Sequence, residues 1–179
     1  GAFKLDFDGN LTSPSGLKVA GWMPNAAGVW PSFTAGNLQG IVIKKGMQMA
    51  PSATTTASFF GNLDSRLTPP GTFDTTLPVY DSLGGKYDIT MRFTKTGLNS
   101  WDWQVTGPLL PAPAAGNGTV SFNPDGTYNT STVATAISYN PGTGANVITI
   151  AAPDFTGLRQ YATESGIDKS QNGYAQGSL

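Results

Sequence analysis

The stretch LPVYDSLGGKYDITMRFTKTGLNSWDWQVTG, residues 77–107, decides the fold class. Within it Tyr87, Ile89, Met91 and Phe93 alternate with Asp88, Thr90, Arg92 and Thr94. A second alternation sets Trp101, Trp103 and Val105 between Ser100, Asp102, Gln104 and Thr106. A period of two puts successive side chains on opposite faces of a strand. Each run therefore predicts a strand with one apolar face, and the polar, Gly-containing link between them makes a hairpin.

The same texture extends in both directions. Upstream, DSLGG (81–85) predicts a turn after a short strand near Val79. Further upstream, Phe3, Leu5 and Phe7 alternate with Lys4 and Asp6; DGN (8–10) supplies a turn, and LKVAGW (17–22) reads as the returning strand. LQGIVIKK (38–45) is a third, shorter candidate. From Met47 the composition shifts to Thr, Ser, Ala and Pro, which places a domain boundary at Ala50–Thr56. Pro51 and the β-branched Thr run oppose a helix there.

Downstream, GPLLPAPAAGNG (107–118) reads as an exposed loop. TVSFNPDGTYN (119–129) reads as strand and turn, with ATAISYN and NVITIAA as two more strands joined by PGTGA. The last segment has room for at most one helical turn, near 155–162. No repeat recurs at a fixed period. Many short strands between turn signals predict an all-β protein: a β-sandwich or barrel-like domain plus a smaller β domain.

Composition narrows the chemistry. Only 12 % of residues are charged and the net charge is −1, with no basic run. Nucleic acid needs clustered Lys and Arg, and so does an anionic membrane surface; both are excluded as partners. Cysteine and histidine are absent, which removes disulfides, thiolate chemistry and the commonest general base and metal ligand. No stretch is long and apolar enough to span a bilayer as a helix. The start carries no signal-peptide pattern, and Gly1 in place of Met reads as a fragment or processed chain.

The acidic side chains are ten Asp and Glu164. A glycosidase would need two of them facing across a cleft, about 5 to 10 Å apart. Asp8, Asp64, Asp81 and Asp125 fall instead at turns, where the carboxylate caps backbone N–H groups. DFDGN (6–10) lacks the longer ligand ladder and closing Glu of a calcium loop. No phosphate loop and no nucleophile elbow occurs. Catalytic, cofactor-binding and metal-binding residues are therefore all expected to be none. Trp22, Trp30, Trp101 and Trp103 are the side chains that a sugar-binding platform would use. Trp101 and Trp103 share a face with Val105 that matches the Tyr87–Phe93 face, which assigns them to the core.

Four stretches together resemble the bacterial flagellar hook protein family. FKLDFDGNLTSPSGLKVAGW (3–22) is similar to its N-terminal hairpin, and ATTTASFFGNLDS (53–65) to its segment leading from the inner to the outer domain. LPVYDSLGGKYDITMRFTKTGLNSWDWQV (77–105) resembles its V-Y-D-S-[LQ]-G hairpin, and SQNGYAQGSL (170–179) its [SN]-Q-[ND]-G-Y-x-x-G-[SD]-L signature.

The resemblance implies a non-enzymatic structural subunit of a flexible helical tube, the universal joint that carries torque from motor to filament. It implies partners: further copies of the same subunit, and the hook cap, rod and hook–filament junction proteins. It implies an extracellular place in the hook of the basal body, reached through the flagellar secretion apparatus without a cleaved signal. In the family, terminal helices line the tube and carry most polymerisation contacts. Neither end of this chain has an apolar 3.5 or 3.6 period. The resemblance thus implies a middle fragment, monomeric by itself, with 1–52 in the inner β domain and 53–179 as the outer β domain. The rival reading is a carbohydrate-binding or adhesin-like β-sandwich, which requires exposed tryptophans along a groove.

Overall fold

The computed structural model describes residues 2–25, 29–44, 46, 48–108 and 114–178. The chain divides into two compact units: Gly1–Met49 with Gly177–Leu179, and Ala50–Gln176.

The smaller unit is built from two-residue strands. β1 (Lys4–Leu5) pairs antiparallel with β2 (Leu11–Thr12), β3 (Ala20–Gly21) with β4 (Gln39–Gly40), and β5 (Gln48–Met49) with the last strand, Gly177–Ser178. The opening hairpin returns at Leu11–Thr12, not over 17–22. Asp6 causes the early return: its carboxylate accepts from the backbone N–H of Asp8 (3.0 Å) and Asn10 (2.8 Å) and from the Asn10 amide (2.8 Å). The 17–22 stretch supplies β3 instead, and Val19 donates to Leu11 O and accepts from Ile41.

The larger unit is two packed sheets. One is a six-stranded antiparallel meander of β7 (Thr72–Tyr80), β8 (Lys86–Lys95), β9 (Ser100–Gly107), β10 (Ala115–Phe122), β11 (Tyr128–Tyr139) and β12 (Ile148–Ile150), each strand beside the next. The other has β6 (Ala57–Asn62) at its centre. β13 (Asp154–Arg159) lies parallel on one side and β14 (Gly166–Gln171) antiparallel on the other. The strand Gly177–Ser178 is β15.

The 86–107 alternation is observed as read: Ile89, Met91, Phe93, Trp101, Trp103 and Val105 all point into the core. Phe93 sits opposite Trp103 across β8 and β9. From the second sheet, Phe59, Phe155 and Leu158 complete the filling, with Phe59 and Phe155 stacked at 5.1 Å. Burying large aromatic and aliphatic side chains stabilises by about 1.5–3 kcal/mol each, so this core dominates the unit's stability. The outer face of the meander is polar, as alternation requires. There Asp74 and Arg92, cross-strand partners, form a two-pronged exposed ion pair at 2.7 and 2.8 Å.

Three expectations are corrected. The strand near Val79 runs from Thr72 to Tyr80, because Thr75 takes an inward, buried position that hydrophobic alternation does not reveal. The Gly-rich AGNG belongs to β10, and 109–113 of the expected loop lie outside the described residues. Gly118 is inward there because a Cβ would stand 2.0 Å from Thr132 O and 2.8 Å from the Trp103 indole nitrogen. That nitrogen donates to Thr132 O at 3.2 Å. Finally, no helical turn forms at 155–162; β13 occupies the site, with Phe155 and Leu158 drawn into the core by β6.

Candidate functional site

The carboxylates are spent locally. Asp64 accepts from the Arg66 guanidinium at 2.8 Å and from the Arg66 backbone N–H, which hold its pKa down at about 2. Asp125 accepts from Thr127, and Asp154 from Thr156, each two residues on; both are held below the usual carboxylate range by those bonds. Asp81, only 1 % exposed, accepts from the N–H groups of Leu83 and Gly85 and from the Tyr87 hydroxyl. These are turn and pairing roles. Among the described residues, no group of three or more acidic side chains could hold a metal.

The tryptophans separate by unit. Trp101 and Trp103 are buried. The Trp101 indole donates to the Gln160 side-chain oxygen at 2.5 Å, and the same Gln160 amide donates to Leu98 O and Asn99 Oδ1. Lys95 lies 5.7 Å over the Trp101 ring and donates to Ser65 O, with the Asp64 carboxylate near enough to feel its charge. Sequence reasoning missed Lys95; its inward register after Phe93 was the available signal. Trp22 and Trp30 are exposed, by 36 % and 58 %. Both meet Phe33, at interplanar angles of 86° and 39°, so the rings do not form one flat stacking platform.

Among the described residues, the smaller unit contributes no side chain to the buried apolar core. Many of its large apolar side chains are exposed, Phe7 and Phe33 among the most, while Leu11, Val19, Ile41, Val42 and Ile43 are half-buried. Its buried described residues are only Gly9, Asn10 and Thr12.

The base of the larger unit brings three sequence stretches together: 51–57, 79–85 and 170–176. Ser52 and Tyr174 exchange two backbone hydrogen bonds at 3.0 Å. Thr54, fully buried, donates its N–H to Tyr80 O and accepts the Tyr80 N–H on its hydroxyl, both at 2.9 Å. The same hydroxyl donates to Gln171 Oε1 at 3.0 Å. Gly173 lies so close that a Cβ would stand 2.2 Å from Thr54 Oγ1. Asn172 completes the joint: its Oδ1 accepts from the N–H groups of Thr55 (2.9 Å) and Thr56 (3.0 Å), and its Nδ2 donates to Thr55 Oγ1 (2.8 Å). The 79–85 turn abuts this base, with Gly84 against Pro51 and Gln176. Three of the four stretches that carry the family resemblance therefore meet in one hydrogen-bonded joint.

Comparison with known proteins points the same way. The family described as "Flagellar basal body protein FlaE D2 domain" matches residues 49–174. Among similar curated proteins, flagellar hook protein FlgE of Salmonella typhimurium is 29 % identical over 197 residues. Flagellar hook protein FlgE of Escherichia coli is 31 % identical over 194 residues. Each of these alignments covers 100 % of this chain and 48 % of the relative, so the chain spans about half the length of the relatives it matches. Flagellar hook protein FlgE of Treponema pallidum is 30 % identical over 124 residues, covering 62 % of this chain. On the match across the larger unit, this chain belongs to the flagellar hook protein family.

Proposed function

We propose that this chain is part of a structural, non-enzymatic subunit of the bacterial flagellar hook, a flexible helical tube that carries torque from motor to filament. The observation that carries the reading is the contrast between the units. The larger has a closed core, whereas the smaller exposes Phe7, Trp30 and Phe33 and has no buried apolar side chain among its described residues. Such a surface suits a subunit whose burial is completed by assembly.

In this reading the smaller unit belongs to the inner domain and the larger is the outer domain. The principal partners are other copies of the subunit, in heterologous contacts that repeat without closing. Cap, rod and junction proteins of the hook are the further partners. The protein works outside the cell and reaches the hook through the flagellar secretion apparatus without a cleaved signal. With 12 % charged residues, neighbouring surfaces can slide as the tube bends without breaking strong ion pairs.

The test is made in the full-length protein, in the bacterium that expresses it. Trp30→Ser with Phe33→Ser is expected to abolish hooks in electron micrographs of basal bodies and to abolish swimming. Hooks of normal number and length from that variant would overturn the role assigned to the smaller unit. Normal hooks and swimming in a strain lacking the protein altogether would overturn the reading itself.

A further inference from the structure

The antiparallel pairing at the base of the larger unit slips. Ser52 pairs with Tyr174, but the next pair is Ala57 with Gln171. Residues 53–56 therefore face only 172 and 173. A bulge of this size leaves backbone N–H groups with no strand partner, and such groups must be satisfied in another way. The Asn172 side chain does so for Thr55 and Thr56, standing in for the missing main-chain carbonyl. Gln171 folds back on Gly173, accepting its N–H and donating to its carbonyl at 3.1 Å, and also accepts from the Thr54 hydroxyl.

The energetics change abruptly at this point. From Ala57 and Phe59 onward β6 is held by buried apolar packing. Below it, Thr55, Thr56 and Asn172 are exposed, and the bonds joining them are exposed polar ones. Each such bond contributes only about 0.5–1.5 kcal/mol net. Segments held by exposed hydrogen bonds and few apolar contacts open on their own, far more often than the domain unfolds.

We propose that the Asn172 corner is a latch: residues 55 and 56 with 172 open and reclose as a local unit while buried Thr54 and the two-sheet core stay in place. Asn172 sets that equilibrium, because its one side chain holds both orphan amides of the bulge.

Hydrogen exchange of the folded chain, resolved to single amides, tests the latch without reference to assembly. In the unsubstituted protein the Thr55 and Thr56 amides are expected to exchange faster than those of Met91 and Trp103. Low denaturant should not alter their rate. Asn172→Ala should speed Thr55 and Thr56 about tenfold and leave Met91 and Trp103 within about twofold. Asn172→Asp should retain protection, because a carboxylate oxygen still accepts both amides and the Thr55 hydroxyl can turn to donate. Thr55→Val, which removes only the partner of Asn172 Nδ2, should give a smaller acceleration confined to the same amides.

Unchanged exchange in Asn172→Ala would overturn the proposal. So would equal acceleration of the core amides, loss of folding in Asn172→Ala, or an Asp variant as fast as the Ala one. None of these outcomes bears on whether hooks form, which is read from micrographs.

Discussion

Trp103 of β9 and Phe155 of β13 meet across the two sheets with ring centroids 5.4 Å apart, at an angle of 45°. This contact joins a strand from the middle of the meander to a strand near the end of the chain. Phe93, which faces Trp103 from β8, meets the same Phe155 edge-on at 6.1 Å. One aromatic ring from the small sheet therefore closes over two from the large one.

Trp103→Ala is expected to cost about 3–5 kcal/mol, since the site is ringed by strands that cannot collapse into the space. Chemical denaturation followed by circular dichroism measures it. A midpoint equal to that of the unsubstituted protein would contradict the facing of β9.

Gly118→Ala probes the same region from the opposite side. The added methyl meets Thr132 O and the Trp103 indole, both held in place by the ladder and the core. A loss of about 1–3 kcal/mol is expected, as for other overpacked interiors. The same change at Gly36, where a Cβ would meet nothing, should leave thermal stability unaltered.

Acid should destabilise the protein in a defined window. The folded pKa values of Asp64 (about 2), Asp74, Asp125 and Asp154 lie below the ordinary value; Asp74 is lowered chiefly by its bond to Arg92. The unfolded chain then binds more protons below about pH 4, so stability is present above that point and is lost as pH falls towards 2. Histidine is absent, so thermal midpoints should be flat from pH 5 to 8. A steep step between pH 5 and 7 would show that another group controls the fold.

Sedimentation equilibrium of the 1–179 stretch at tens of micromolar should give a monomer, because patches of this kind hold only at high effective concentration. Any weak association should run through the smaller unit, and Trp30→Ser with Phe33→Ser should remove it. A specific dimer that survives both substitutions would move the contact elsewhere.

Sequence made the centre of the fold legible and its margins less so. The 86–107 hairpin is read correctly because its inward residues, Lys95 apart, carry no charge and its outward ones are polar. The first half of β10 escapes because its inward positions hold Gly116 and Gly118, which make room for Trp103 and Ile137 and carry no hydrophobic signal, whereas 119–122 is read as strand. β13 escapes because Phe155, Leu158 and Tyr161 fall at helical spacing, a local preference overridden by parallel pairing with β6, distant in sequence. The turn roles of Asp64, Asp81 and Asp125 were legible from neighbouring Gly, Ser and Pro, whereas in the first turn Asp6, not Asp8, caps the backbone. The joint at Asn172 was quoted as a motif, but its bonds to Thr55 and Thr56 link residues more than a hundred positions apart, and no local pattern encodes them.

The order of strands in the small sheet also sets when the larger unit can fold. β6 comes first along the chain, and its two neighbours, β13 and β14, come last. The meander between them can pair strand by strand as local hairpins, but its apolar face stays open until Phe155 and Leu158 arrive. Contacts of such long sequence separation bear the entropy of closing a large loop before any burial rewards it, and they slow folding. A chain wired in this way can pair its meander early but commits to its core only when nearly all of it is free to move.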